Sequence, residues 1–273
     1  MKKYSVLMSL YKKEHPEYLR LALDSMINQT VKPDEIVLVE DGPLTSDLYE
    51  VVKEYTEKYP ELLHIVVNKK NLGLGLALNI GLKACRNELI ARMDTDDISK
   101  PDRCEKQLRF FSTHPTVTIL GGQIEEFINS PNEIVGKRIV PQTDRELKEF
   151  MKKRCPFNHM TVMFKKSDVM KAGSYKDWFW NEDYYLWIRL ALRNYKFANL
   201  GDTLVNARVG IDMYQRRGGD KYFKSEIGIQ KLMLEKNMIG IPTFIMNCAK
   251  RLIVEKLMPN RIRGWVFQTF ARE

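Results

Sequence analysis

Three carboxylates fall within four residues at Asp94-Thr95-Asp96-Asp97, directly after the apolar run 88–93. Neighbouring anions repel, and a folded chain accommodates them when a cation neutralises them. Carboxylate oxygens suit hard ions such as Mg²⁺ or Mn²⁺, which also take phosphate oxygens. The plainer reading is a solvated acidic turn ahead of the helix that Pro101 opens. A second acidic pair, Glu40-Asp41, precedes Gly42. Asp41 can accept from a nucleobase N–H or a ribose hydroxyl, or it can simply shape the turn before glycine. A third, Asn181-Glu182-Asp183, precedes the apolar segment 184–190. Capping and the helix dipole alone favour acids there. Among Trp178, Phe179, Trp180 and Tyr184, however, carboxylates can hold their protons more tightly, and the aromatic rings can stack on sugars.

Three further segments carry weaker signals. Asn71-Leu72-Gly73-Leu74-Gly75 is not a dinucleotide fingerprint, because the third glycine of GxGxxG falls on Leu78. Its glycines still permit close backbone approach by a ligand. His159 stands between Cys155-Pro156-Phe157-Asn158 and a β-prone stretch, and reads as either a structural or a catalytic histidine. Tyr214-Gln215-Arg216-Arg217-Gly218-Gly219 is either an exposed turn or a basic loop whose guanidinium groups match a diphosphate.

The first half of the chain alternates strand and helix. Apolar, β-prone runs at 4–10, 35–40, 63–67, 88–93 and 117–120 are separated by helical patterns. Such alternation predicts an α/β fold with a mostly parallel sheet flanked by helices on both faces, and ligands bind at the carboxyl ends of such strands. Successive strands here end in Glu40-Asp41-Gly42, Asn71-x-Gly73 and Asp94-x-Asp96-Asp97, so the chemistry is expected on that edge. After residue 122 short β-like pieces (134–140, 160–164, 204–209) mix with helices near 144–153, 182–194 and 221–236. The division is therefore 1–122, 123–242 and a C-terminal segment 243–273, within one continuous catalytic domain plus tail. In that tail, residues 244–273 carry six Lys/Arg and two Glu among Ile, Leu, Trp and Phe, with Pro259-Asn260 dividing it into two short helices.

The chain has 273 residues and a net charge of +9, unevenly placed. Residues 1–150 hold 21 basic and 24 acidic side chains, whereas 151–273 hold 23 and 11. The basic half suits an anionic bilayer, a phosphorylated ligand or nucleic acid. Cys85, Cys104, Cys155 and Cys248 form no CxxC pair and read as reduced thiols of a cytosolic protein. No run of 18 apolar residues offers a membrane span, and the N-terminus reads as a first strand rather than a signal peptide. A mainly disordered chain is excluded by 44% hydrophobic and 10% aromatic content.

The ordered set SVLMSLYK, VLVEDG, NLGLGLALNIGL, ARMDTDD with ISKPDRCEKQ, and NEDYYLWIRL resembles family 2 glycosyltransferases, over roughly residues 4–210. Its flavour is that of the small bacterial enzymes of capsule, O-antigen and exopolysaccharide synthesis. The resemblance implies a GT-A fold, with a nucleotide-sugar-binding half, an acceptor-binding half and a helical tail. It implies that Asp41 contacts the nucleobase, that Asp94-x-Asp96 is the DxD motif holding ribose and Mn²⁺ or Mg²⁺ with Asp97 extending it, and that Asp183 is the general base with Glu182 beside it. The donor-contacting set is then Ser9, Tyr11, Asp41, Asn71, Gly73, Asn79, Arg92, Asp94, Thr95 and Asp96. His159, Trp180, Arg216 and Arg217 fall to the acceptor or diphosphate side. Ser9-Leu10 stands where Pro-Val is frequent and Glu40 where Asp often is. The QxxRW signature of processive synthases is not matched at 215–219, which disfavours a polymerase. The expected partners are a nucleotide-sugar, a glycan or polyprenyl-diphosphate-linked acceptor and an anionic membrane surface, with the protein cytoplasmic or peripheral on the inner face of the membrane.

Two other readings fit parts of the sequence. A nucleotidyltransferase also clusters carboxylates and metal on an α/β sheet, but segment 11–15 lacks the glycine-rich phosphate loop. A nucleic-acid-binding module would use the basic half with Trp178, Phe179 and Trp180 as stacking platforms; no nucleic acid is expected as partner.

Overall fold

Runs that are apolar at nearly every position suit strands covered on both faces. In the computed structural model, which describes residues 2–210 and 219–257, they become β1 (Tyr4–Leu10), β2 (Glu35–Asp41), β3 (Leu63–Asn68) and β4 (Leu89–Arg92). These four pair in parallel in the order β3-β2-β1-β4. Between them run α1 (Pro16–Ile27), α2 (Ser46–Lys58) and α3 (Leu74–Ala84), long enough to return the chain for parallel pairing. Pro16 sits in the first turn of α1, where its missing N–H costs no helical bond. The Thr45 hydroxyl caps α2 by accepting from Leu48 N.

The period of two along β1 sorts its side chains between two cores. Tyr4, Val6, Met8 and Leu10 join one cluster with Leu23 of α1, Val51 of α2, and Leu108 and Phe111 of α4 (Arg103–Thr113). Leu7 joins the other with Leu78 and Leu82 of α3. That second core also takes Leu147 of α5 (Asp144–Met151), Val169 of α6 (Lys166–Lys171), Trp187 of α7 (Glu182–Leu192) and Ile229 of α8 (Asp220–Glu235).

Beyond β4 the sheet becomes mixed. The expected piece 160–164 divides into a 3₁₀ turn, His159–Thr161, and a short β8 (Met163–Lys165), which lies antiparallel between β4 and β6. β6 (Val117–Phe127) extends well past the expected 117–120, so position 122 lies inside a strand and both halves share one sheet. β9 (Lys196–Arg208) is likewise longer than 204–209 and runs parallel to β6. β5 (Ile98–Ser99) pairs antiparallel with β9, and β7 (Ile134–Arg138) with β6. The tail begins as α9 (Ile241–Arg251) and continues into a π-helical turn, Leu252–Leu257. The division expected at Pro259-Asn260 lies outside the described residues. Among the described residues no helix is long and apolar enough to cross a membrane.

Candidate active site

Register aligns the carboxyl ends of the parallel strands: Leu10 stands opposite Glu40, Asp41 opposite Asn68, and Leu7 opposite Arg92. Each exit then has its own chemistry. At β2, the buried Asp41 carboxylate accepts from Asn68 Nδ2 (3.1 Å), Leu72 N (2.8 Å) and Gly73 N (3.0 Å). Asn71 Nδ2 in turn donates to the Asp41 carbonyl (3.0 Å). Asp41 thus fixes the loop that opens α3. Gly42 makes this possible: its φ is +91°, and a Cβ there would stand 2.6 Å from Asn71 N. Gly73 needs glycine for its φ of +87°, with open space around it. Gly75 needs it for room, since a Cβ would meet Lys176 O at 2.6 Å and Glu182 Cβ at 2.9 Å. The close approach at Gly75 is therefore to the protein's own backbone and to the NED segment. Glu40, beside Asp41, is buried, and burial pushes its carboxyl above the ordinary range.

At β4, the ligand oxygens of Asp94, Asp96 and Asp97 all lie within 4.8 Å of one another. Burial and the Asp94 and Glu14 charges raise Asp96 to about 7. Burial, then Asp96 and Asp94, raise Asp97 well above the usual carboxylate range. One oxygen of Asp97 accepts from Arg208 N (2.7 Å), while Oδ2 is buried without a protein partner. Arg208 Nε also donates to the Asp96 carbonyl (3.2 Å), and its guanidinium lies over the Tyr18 and Phe127 rings. Thr95 Oγ1 bonds Glu14 Oε2 (2.7 Å) and reaches the Ser9 carbonyl (3.4 Å), which ties the β1 exit to the acidic turn. Arg92 is fully buried and pairs with Asp94; its Nε and Nη1 have no hydrogen-bond partner. Burial works against its charge, but Asp94 outweighs that and holds the guanidinium in its charged form. Behind it the buried Arg103 donates to the Arg92 carbonyl (2.7 Å) and fixes the strand's end.

The N-terminus of α7 brings Glu182 and Asp183 to this edge. Burial, then the Asp183 charge, push Glu182 up to about 8; Arg92 counters this and Asp94 adds to it. Burial also raises Asp183, against the opposing pull of Tyr184 N (2.6 Å), the Cys155 thiol (3.5 Å to Oδ2) and the Arg92 and Arg138 charges. The Asp94 charge therefore acts on Glu182, and the Arg92 charge acts on both acidic motifs.

The remaining expected residues are placed as follows. His159 Nε2 meets Tyr175 OH (2.9 Å) in an aromatic group with Trp187. Burial, then Arg92, keep its imidazole neutral, with a pKa well below the ordinary value. Asn79, on α3, has a buried Oδ1 without a partner. Trp180 is half exposed in the turn before α7, at φ +59°. The Tyr11 carbonyl accepts from Glu14 N (3.0 Å). Arg216 and Arg217 lie outside the described residues.

The model of the family described as "Glycosyl transferase family 2" matches residues 5–177. The chain belongs to that family. Among curated relatives of this family 2 glycosyltransferase, "Amylovoran biosynthesis glycosyltransferase AmsE" of Erwinia amylovora is 41% identical over 97% of this chain and 98% of its own. "UDP-Gal:alpha-D-GlcNAc-diphosphoundecaprenol beta-1,3-galactosyltransferase" of Escherichia coli is 37% identical over 99% and 97%. Among solved structures, S. aureus TarS 1-349 in complex with UDP-GlcNAc superposes with a TM-score of 0.65 at 18% identity, over 97% of this chain and 79% of that one. Mannosyltransferase PcManGT from Pyrobaculum calidifontis, in complex with GDP-Man and Mn²⁺, gives 0.63 at 16% identity, with the same coverage. The likeness to these structures is one of fold, and the fold of this glycosyltransferase is GT-A.

Several residues at the transferase's site were not foreseen from sequence. Glu14, Cys155, Tyr175 and Arg208 reach it from separate segments, and none stands in a motif. Arg103 alone had a signal, because it lies inside ISKPDRCEKQ, although nothing there marks it as buried.

Proposed function

We propose that this chain is an inverting, divalent-metal-dependent hexosyltransferase of surface-polysaccharide synthesis. Its donor is a UDP-hexose or UDP-N-acetylhexosamine, and its acceptor is a hydroxyl of a glycan carried on polyprenyl diphosphate. The observation that carries the reading is the packing of Glu182 against α3 at Gly75, on the edge where the β4 acidic turn stands, with the charge of the buried Arg92 acting on both acidic motifs. The names of the Escherichia coli and Erwinia amylovora relatives support the substrate class.

A hard cation fits the β4 turn. Three carboxylates converge there, burial and then their neighbours' charge raise the pKa of two of them, and Asp97 Oδ2 is buried without a partner. Asp94, Asp96 and Asp97 would hold it. A bound Mg²⁺ or Mn²⁺ supplies positive charge against the departing diphosphate. The chain's own residues do the rest. The 71–73 loop, pinned by Asp41, and the unpartnered Asn79 Oδ1 form the donor side, within residues 1–122. The acceptor hydroxyl enters from residues 123–242, beside Trp180. Asp183 takes the hydroxyl proton as its oxygen bonds the anomeric carbon. The bond from that carbon to the phosphate oxygen breaks, and its electron pair leaves with the nucleoside diphosphate. Attack from the opposite side inverts the centre, so one base suffices. An acceptor of this kind places the enzyme at the cytoplasmic face of the membrane.

A thermal-stability panel of nucleotide-sugars with Mn²⁺ or Mg²⁺, followed by transfer to a polyprenyl-diphosphate-linked N-acetylhexosamine, tests the reading. One UDP-sugar should stabilise the protein by about 2.7 kcal/mol at a hundredfold excess over Kd. Failure of every nucleotide-sugar to stabilise or react overturns it.

A further inference from the structure

Helix α9 departs from an ordinary surface helix, which turns its apolar side to the core and its polar side to water, because it keeps large apolar side chains outside as well. Its inner side joins Phe244, which packs against the second core, to a set of polar groups. Asn247 is buried and donates to Lys152 O and Gln230 Oε1, both at 2.8 Å. Arg251 Nε meets the buried Glu226 carboxylate at 2.6 Å, and Nη2 donates to Lys153 O at 2.9 Å. These specific bonds fix how the helix is rotated, because turning it would strand buried polar groups. Its outer side carries Ile241 (64% exposed), Ile245 (60%) and Met246 (56%), and the following turn adds Leu252 and Ile253 (54%). Spacings of four and seven residues put them on one face.

From this we infer that the outer face of α9 is a docking face for an anionic lipid bilayer, with the helix lying along the headgroup boundary. Five large apolar side chains held outward by internal polar bonds need an apolar phase. Charge selects which one. Lys250, one turn on from Met246, is exposed, as are Lys221, Lys224 and Lys231 on the adjoining α8 and Lys236 just after it. Residues 151–273 carry 23 basic against 11 acidic side chains, and the sequence beyond α9 adds Arg261, Arg263 and Arg272 with Trp265 and Phe267. A second copy of the chain would bring these like charges together; anionic headgroups complement them. The inference stands on the helix and its charge, independently of the transfer chemistry.

Full-length protein should co-sediment with phosphatidylglycerol-containing vesicles and not with pure phosphatidylcholine vesicles. The double variant Ile245→Glu, Ile253→Glu should lose at least tenfold of that partitioning while its melting temperature stays unchanged. Hydrogen exchange across 241–253 in the wild-type chain should slow on adding the anionic vesicles, a readout that needs no variant. Equal sedimentation of wild type and variant, or unchanged exchange in 241–253, overturns the assignment. So does a concentration-dependent dimer that the variant abolishes without any vesicle binding. Nucleotide-sugar turnover on a soluble acceptor serves as a separate control: its loss in wild type speaks against the proposed reaction and leaves this surface untouched.

Discussion

Glu182 and Asp183 are adjacent carboxylates with different surroundings, and that difference assigns their roles. Asp183 has a backbone N–H, a thiol and the Arg92 and Arg138 charges favouring its ionised form. Glu182 is held protonated to about 8 by burial and by Asp183. Burial raises Asp183 as well, but these four groups oppose the rise, which makes it the better candidate base of the two. Asp183→Asn should therefore cut glycosyl transfer by at least about 10²-fold and leave nucleotide-sugar binding intact, as judged by calorimetry. A dead Glu182→Gln beside an active Asp183→Asn reverses the roles. Glu182 also makes a stability prediction. Its folded pKa of about 8 lies above the ordinary 4.5, so between those values the folded state keeps a proton that the unfolded chain releases. Stability contributed by this group is present below about pH 4.5 and falls as pH rises towards 8, at up to about 1.4 kcal/mol per pH unit. Glu182→Gln should flatten the melting-temperature profile across that window; an unchanged slope would remove Glu182 as its source.

The donor edge and the α7 N-terminus are separate in sequence and are brought together by helix packing. Gly75 on α3 is the contact that allows it, with no room for a Cβ beside Lys176 O and Glu182 Cβ. Gly75→Ala should push these segments apart and lower kcat about tenfold or more, since small misplacements near reacting groups are costly. Nucleotide binding should weaken less, and steady-state kinetics separates the two. The parallel strands and their helices were legible because buried runs of 4–7 residues alternate with clear helical spacing. β8 was blurred because three residues are too few for a period to register. The DTDD turn and the NED segment were legible as motifs, whereas Cys155 and Arg208 act through tertiary contacts that leave no local pattern. The exposed apolar face of α9 was hidden for a related reason: the tertiary partners of Phe244, Asn247 and Arg251 decide which side faces inward.

For the molecule as a whole, the acidic turn gathers three carboxylates at a cost, which a cation and a diphosphate together would relieve on the proposed reading. Mn²⁺ with UDP should raise the melting temperature by more than the sum of either alone. Asp96→Asn should abolish the excess while the protein stays folded by circular dichroism; an excess that persists in this variant removes Asp96 from the metal site. The tie between Asp97 and Arg208, 111 residues apart, reaches beyond the finished enzyme to its synthesis. When residues 1–177 have left the ribosome, the four parallel strands β1 to β4 and the whole stretch matched by the family model exist. Strand β9 does not yet exist, so Asp97 lacks its backbone donor and the acidic turn has no fixed end. If Asp97 holds the cation as proposed, capture of the nucleotide-sugar should wait until the chain is about three-quarters made, and a chain ended before β9 should show no donor binding by calorimetry.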